Sequence, residues 1–370
     1  MKFTISKSTL AGYLQAVLQV APMKPALPIL SNLMIEALEK KLKISATDLD
    51  ISITATVDCQ VAKRGSAAAP ARILHDIVRE LPECEINFEL NGSRLEIKVP
   101  HGNYKISTVS VEDYPTLPAI NLKKQIKLSI GDLNRMIQHT TFACSTDETR
   151  PALNGALWQT KSDMMVMVAT DGHRLARVSM ANSRLKGMHE DVIVPPKALN
   201  LVTKFAGDPD QETGVIFGEN NLAFNLEDMV VTTRLIEGPY PNYEQVIPRN
   251  NNRLLRINRE ELAGAVRRVS ILSSSLTQQV RFSLKGSQLK LSSANTDMGG
   301  EAQETLPCDY QGEPIELGYK ASYMLDVLGK IDQEEIVFEL ESPIAAGVIY
   351  GADTNKDEFL CLIMPLRLAE

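Results

Sequence analysis

The sequence predicts an α+β protein of three repeated domains, each built as βαβββ twice, and three observations carry that prediction. First, the peptide ATDGHRLA (Ala169–Ala176) has a counterpart in ATDLDI (Ala46–Ile51), 123 residues earlier, and a fainter one in ANTDMG (Ala294–Gly299). Asp48, Asp171 and Asp297 thus mark a period near 125. Second, other positions keep step: Leu10, Leu133 and Leu262 lie in similar amphipathic stretches, and the cations Arg72, Lys197 and Lys320 each open another. Third, Tyr114-Pro115, Tyr240-Pro241 and Met364-Pro365 recur near the end of each unit. Series in one order and phase indicate duplication, with domains at 1–121, 122–250 and 251–370.

Periodicity fills each unit. KFTI reads as a strand and Ser6–Val20 as a helix: Ser6 is a good N-cap, and Leu10, Leu14, Val17 and Leu18 form one apolar stripe. Strand-like runs follow at SNLMIEA, KLKISA and ISITATV, and the pattern returns with a helix over Ala71–Leu81 and the runs EINFEL, RLEIKV and NYKIST. The corresponding helices are Ile130–Ala143, Pro196–Ala206, Asn258–Leu272 and Tyr319–Ile331. Helices laid on antiparallel sheets leave one face of each to solvent.

No apolar run reaches the ~20 residues that span a bilayer, and MKFTISKSTL lacks a signal-peptide core, so a soluble cytoplasmic protein is expected. The five cysteines fall in no C-x-x-C pair, which favours free thiols and no metal. A formal net charge of −7 argues at first against nucleic acid, but its distribution reverses that inference. The six helices hold eleven Lys/Arg against six acids, so they carry +5 and the remainder −12. Helices sharing one surface would present a mildly basic face, the sign needed to hold a phosphate backbone without reading sequence. Solvated decoration of helix surfaces is the competing explanation.

ATDGHRLA places an acid, an imidazole and a guanidinium together. Asp171 and His173, with His139, would suit a hydrolase, but no G-x-S-x-G, Walker loop, H-E-x-x-H or paired carboxylates accompany them. Within the repeat the Thr-Asp is shared, whereas Gly172-His173 is replaced by Leu49-Asp50 and Met298-Gly299. The shared Asp therefore reads as a turn that caps backbone amides, and Gly172–Leu175 as something private to the second domain.

Together with MKFTI, LPILSN (Leu27–Asn32), RPALNG (Arg150–Gly155), YPNY (Tyr240–Tyr243), SYMLDVL (Ser322–Leu328) and the ending MPLRL, these motifs resemble the DNA-clamp family, the β subunits of bacterial DNA polymerase III. The match runs in order from Met1 to Leu368. The resemblance implies a non-catalytic ring-shaped homodimer, helices lining the inner face and sheets outside, that encircles duplex DNA and confers processivity without a cofactor. It implies partners that dock through short Leu/Phe-containing peptides: the polymerase III catalytic subunit, the clamp loader, other polymerases and repair proteins.

Carried over by motif, the partner pocket comprises Arg150, Leu153, Thr170, Gly172, His173, Arg174, Leu175, Pro241 and Val246 from the second domain. The third adds Ser322, Tyr323, Ile344, Ala346, Leu362, Ile363, Met364, Pro365, Leu366 and Arg367. Thr277, Gln245 and Lys320 depart from the family pattern, which has an aromatic, a basic residue and an Asn there. By the same analogy the dimer interface joins Arg94, Tyr104 and Ile106 to Ile271, Leu272, Glu301 and Glu304. Lys24, Arg72, Lys197 and Lys204 are the expected DNA contacts. A linear repeat scaffold that binds proteins and not DNA would share the repeat and is the main alternative to a ring.

Overall fold

The computed structural model describes residues 1–118, 120–121, 125–182, 188–295 and 299–368. Asp297 and Met298, used above to set the repeat, lie outside the described residues. Among those described, six α-helices form: α1 (Lys7–Val17), α2 (Ala71–Glu80), α3 (Ile130–Gln138), α4 (Pro196–Phe205), α5 (Arg259–Ser270) and α6 (Ala321–Leu328). All six expected helices are present, and each is shorter than its hydrophobic pattern. Ser6 caps α1 by accepting from the Thr9 amide, and Leu10, Leu14, Ala16 and Val17 are buried while Leu18 is only half-buried. Residues Thr141–Ala143 form a separate 3-10 turn rather than the end of α3. Tyr319 and Lys320 belong to the strand Ile315–Lys320, so the third cation precedes its helix instead of opening it. With Lys320 and Lys330 outside α6, the helices hold nine cations against six acids, a smaller excess than the pattern suggested.

The chain forms two compact units, Met1–Leu133 with Lys197–Leu235, and Asn134–Pro196 with Ile236–Glu370. In the first, an antiparallel five-stranded sheet runs Gln60–Lys63, Lys2–Ser6, Glu85–Asn91, Arg94–Val99, Gly102–Ser107. Its eight-stranded sheet joins two repeats: Ile126–Ser129, Glu212–Phe217, Asn221–Leu226 and Met229–Arg234 from the second continue through Ile51–Asp58 into Lys41–Thr47, Asn32–Ala37 and Gly65–Pro70 of the first. Helix α1 packs on α2 and on strands Lys41–Thr47 and Ile51–Asp58.

The second unit repeats the device. Met188–Val194, Ala156–Ser162, Met164–Thr170 and Arg174–Ala181 continue through Phe359–Ile363 into Gly347–Gly351, Glu335–Leu340, Arg253–Asn258 and the short Asp309–Gln311. A four-stranded sheet, Gly300–Pro307, Gln288–Asn295, Gln279–Lys285, Ile315–Lys320, completes it. Val280, Phe282 and Leu284 alternate inward on Gln279–Lys285, and α5 packs against that strand and against Gln288–Asn295 and Gly300–Pro307. Asn258 caps α5 with its Oδ1 accepting from Glu260 and Glu261 at 3.0 Å each, and acids in the first turn with Arg267 and Arg268 in the last complement the helix dipole. The five cysteines are free, and burial pushes the Cys144 thiol up to about 12. Among the described residues, no helix is long and apolar enough to cross a membrane.

Candidate functional site

The Thr-Asp peptide is a turn in both repeats. At the first copy, Thr47 Oγ1 accepts from the Leu49 amide at 3.0 Å and donates to the Ile51 carbonyl at 2.9 Å, while Asp48 Oδ1 accepts from the Asp50 and Ile51 amides. At the second, Thr170 Oγ1 accepts from Gly172 at 3.1 Å and donates to the Arg174 carbonyl at 2.6 Å, while Asp171 Oδ1 accepts from His173 and Arg174. The position after the Asp has φ +91° in Gly172 and +82° in Leu49, the left-handed region that suits glycine and strains leucine.

This geometry removes the hydrolytic reading. Asp171 Oδ2 is held by Arg174 Nε at 3.1 Å, and the His173 ring lies over Tyr323 with centroids 6.1 Å apart instead of bonding to the acid. His139 pairs with Asp332 at 3.3 Å and stands edge-on to Phe359. Among the described residues, no hydrogen bond joins either histidine to a Ser, Thr or Cys side chain.

Arg174, expected at the partner pocket, is also a hub of contacts within the second unit. It is buried, bonded to Asp171 and to Asp326 of α6, donates to the Phe142 carbonyl at 2.9 Å, and stacks 4.5 Å from the Tyr323 ring centre. These contacts engage all three guanidinium nitrogens, so Arg174 anchors the turn to α6 and holds Tyr323 in place.

Three of the remaining expected residues, Leu175, Leu362 and Ala346, pack together in the second unit. Leu175 faces Leu362 across the ladder, Val348 faces Leu362 from the other side, and the Met364 amide donates to the His173 carbonyl at 2.8 Å. Leu175, Leu362 and Ala346 join one buried cluster with Val348, Leu360 and Tyr243. From the same motifs, Val246, Ile344 and Met364 are exposed by 56%, 70% and 38%, and Pro241, Gly172, His173 and Arg150 are also exposed. Leu153 is buried beneath Arg150, whose carbonyl accepts its amide. Ser322 and Tyr323 open α6, half-buried. Ile363 does not belong to this cluster: alternation turns it and Cys361 away from Leu362, into the other side of the sheet. Leu366 is tied to Gly318 by its amide and Arg367 accepts from Gln279 Nε2, so these two brace the tail against the four-stranded sheet. Pro365, half-buried, links the two. Sequence reasoning passed over Val348, Tyr243, Ile247 and Ala152, which pack on the same cluster; the alternation in GVIYG and the neighbours of Leu153 and Val246 were the available signals.

Other expected sites lie apart from this cluster. The strands Gly102–Ser107 and Gly300–Pro307 each end a sheet, paired on one side only among the described residues. Tyr104 and Ile106 share a face of the first, yet Ile106 is buried and Tyr104 is 40% exposed, so the apolar face runs out to the edge. Arg94, exposed, pairs with Ser107 on the adjoining strand. At the other edge, Ile271 ends α5 with 76% exposure, Leu272 lies over Gly300, and Glu301 is exposed. Glu304 already has a partner: Arg268 grips it with two 2.8 Å bonds that hold its carboxyl below the usual range. Lys24 and Arg72 are exposed, Lys197 pairs with Asp48, and Lys204 donates to Gln19 at 2.9 Å.

Repeated αβ units, sheets that run through the repeat junctions and end strands paired on one side only among the described residues define a protein built from clamp-type domains. Models of the N-terminal, central and C-terminal domains of the DNA polymerase III beta subunit match residues 1–118, 127–242 and 244–367, and the chain belongs to this family of bacterial sliding clamps, processivity factors that are not enzymes. The beta sliding clamps of Pseudomonas aeruginosa and Escherichia coli are 31% and 32% identical to it over the full length of both chains. A solved sliding clamp from Pseudomonas aeruginosa superposes with TM-score 0.95 at 30% identity, and one from Bacillus subtilis with 0.96 at 26%, each with complete coverage of both chains. A Bartonella birtlesii clamp, 33% identical with TM-score 0.93 over the whole of both chains, was solved bound to griselimycin.

Proposed function

We propose that the chain closes as a head-to-tail homodimeric ring around duplex DNA in the bacterial cytoplasm. In this reading it tethers polymerases, the clamp loader and repair proteins by their Leu/Phe-containing peptides at the face between His173 and Met364. The observation that supports the docking site is that Leu175, Leu362 and Ala346 share one buried apolar cluster while Val246, Ile344 and Met364, supplied by the same motifs, stay exposed. Apolar side chains that remain exposed around a buried apolar floor mark a binding surface, and Met adapts to varied anchors. In this reading the three repeats run over 1–121, 122–250 and 251–370. Lys24, Arg72, Lys197 and Lys204 would face the duplex, where a modest cationic excess favours loose phosphate contact over tight binding. Loaded protein is expected to stay on nicked circular DNA through moderate salt and to leave when the circle is linearised. Equal retention on both forms, with a monomeric mass, would favour a linear scaffold.

His173→Ala isolates the docking role, because the turn is held by the Thr170 and Asp171 side chains and the His173 main chain. The variant should keep its melting temperature and dimeric mass and bind a Leu/Phe peptide several-fold more weakly. That corresponds to about 1 kcal/mol for one polar contact. Unchanged affinity by fluorescence anisotropy would make the segment a plain turn.

A further inference from the structure

The first compact unit contains a second copy of the docking cleft's backbone. Ser52 faces Thr232 and Ile51 faces Thr233 across the junction of the first and second repeats, as Leu175 faces Leu362 and Arg174 faces Ile363 in the second unit. The Arg234 amide donates to the Asp50 carbonyl at 2.7 Å, matching Met364 to His173 at 2.8 Å. Leu222 faces Thr233 as Gly347 faces Ile363, so Asn221 stands for Ala346. The turns correspond bond for bond, and Tyr114-Pro115 stands for Tyr240-Pro241. A cavity of 240 Å³ lies there, walled by Pro115, Leu117 and Pro118 and floored by Ser52, Thr232 and Asn221.

Only the side chains differ. Leu175, Leu362 and Ala346 become Ser52, Thr232 and Asn221, and Leu49 lines the cavity where the second unit has Gly172 with the flexible Arg150 guanidinium beside it. We propose that the junction of repeats one and two is a duplicate peptide cleft closed to Leu/Phe anchors by Ser52, Thr232, Asn221 and Leu49, so that these four residues limit each protomer to one docked partner. An apolar anchor there would strip water from the hydroxyls and the amide without replacing their hydrogen bonds. It would also forgo apolar contacts each worth on the order of tenfold in affinity. The inference rests on the docking site proposed above.

The test is peptide stoichiometry, read by calorimetry on the full chain with a short synthetic peptide whose only apolar residues are Leu and Phe. The unaltered protein should take one peptide per protomer. Ser52→Leu with Thr232→Leu, Asn221→Ala and Leu49→Gly should take two, the second within about tenfold of the first. Should that variant lose its cooperative melt, Ser52→Ala with Thr232→Val, which barely alters volume, should still show a second site roughly a hundredfold weaker than the first. A folded variant that binds one peptide overturns the proposal. Leu362→Ser in the unaltered background tests the parent reading separately: it should abolish the first site, and if it does not, the docking assignment fails, whatever the graft does.

Discussion

Ile271→Ala combined with Leu272→Ala should give a folded monomer that no longer stays on nicked circular DNA yet still binds a partner peptide. Ile271 is 76% exposed at the end of α5, and Leu272 covers Gly300 at the start of an edge strand that pairs with one neighbour only among the described residues. Exposed apolar bulk beside unpaired backbone is what a second chain would cover. A head-to-tail ring uses each such surface twice, and burying a large aliphatic side chain contributes about 1.5–3 kcal/mol. Removing two per contact should weaken association by several hundredfold at least. The peptide face is built from other strands and should be untouched. Sedimentation that still shows a dimer at nanomolar concentration would reject the interface assignment.

The second large effect is expected at Arg174. Replacing it by Met keeps its bulk but leaves Asp171 buried with its charge uncompensated and cuts α6 and the Phe142 turn from the strand Arg174–Ala181. Removing one partner of a buried ion pair costs about 3–5 kcal/mol, which corresponds to a melting temperature lower by roughly 6 °C or more. Peptide affinity should fall with it, because the guanidinium also holds Tyr323. A melt within a degree of the unaltered protein would show that Arg174 is not the anchor described. His173→Ala, its neighbour, should do the opposite: lose affinity and keep stability.

That contrast marks how far the sequence could be read. The repeat was legible because the turn that each Thr-Asp makes is local, complete within five residues and the same in both described copies. Helix existence was legible for the same local reason, whereas helix ends were not: Thr141–Ala143 and Tyr319–Lys320 continue an apolar pattern that tertiary pairing draws into a 3-10 turn and a strand. Two short strands, Gln60–Lys63 and Asp309–Gln311, escaped notice because four or three residues carry too little alternation. The structural tie of Arg174 to α6 was not legible, because Asp326, the acid it bonds, lies 152 residues away. Leu362 and Ile363 looked equivalent until strand register assigned them opposite faces.

The sheets that run through the repeat junctions separate two kinds of unit. A repeat is what was copied, but Met229–Arg234 completes the sheet of the first repeat, and Phe359–Ile363 completes that of the second. Excising one repeat would therefore cut a ladder at its middle and bare two long edges, an invitation to aggregate. Heredity could lengthen such a chain only by whole copies, since each newcomer must bring the strand that seals its predecessor. The open edges left at the ends of the series are then the inevitable remainder of that rule, and a second chain is the simplest thing that satisfies them.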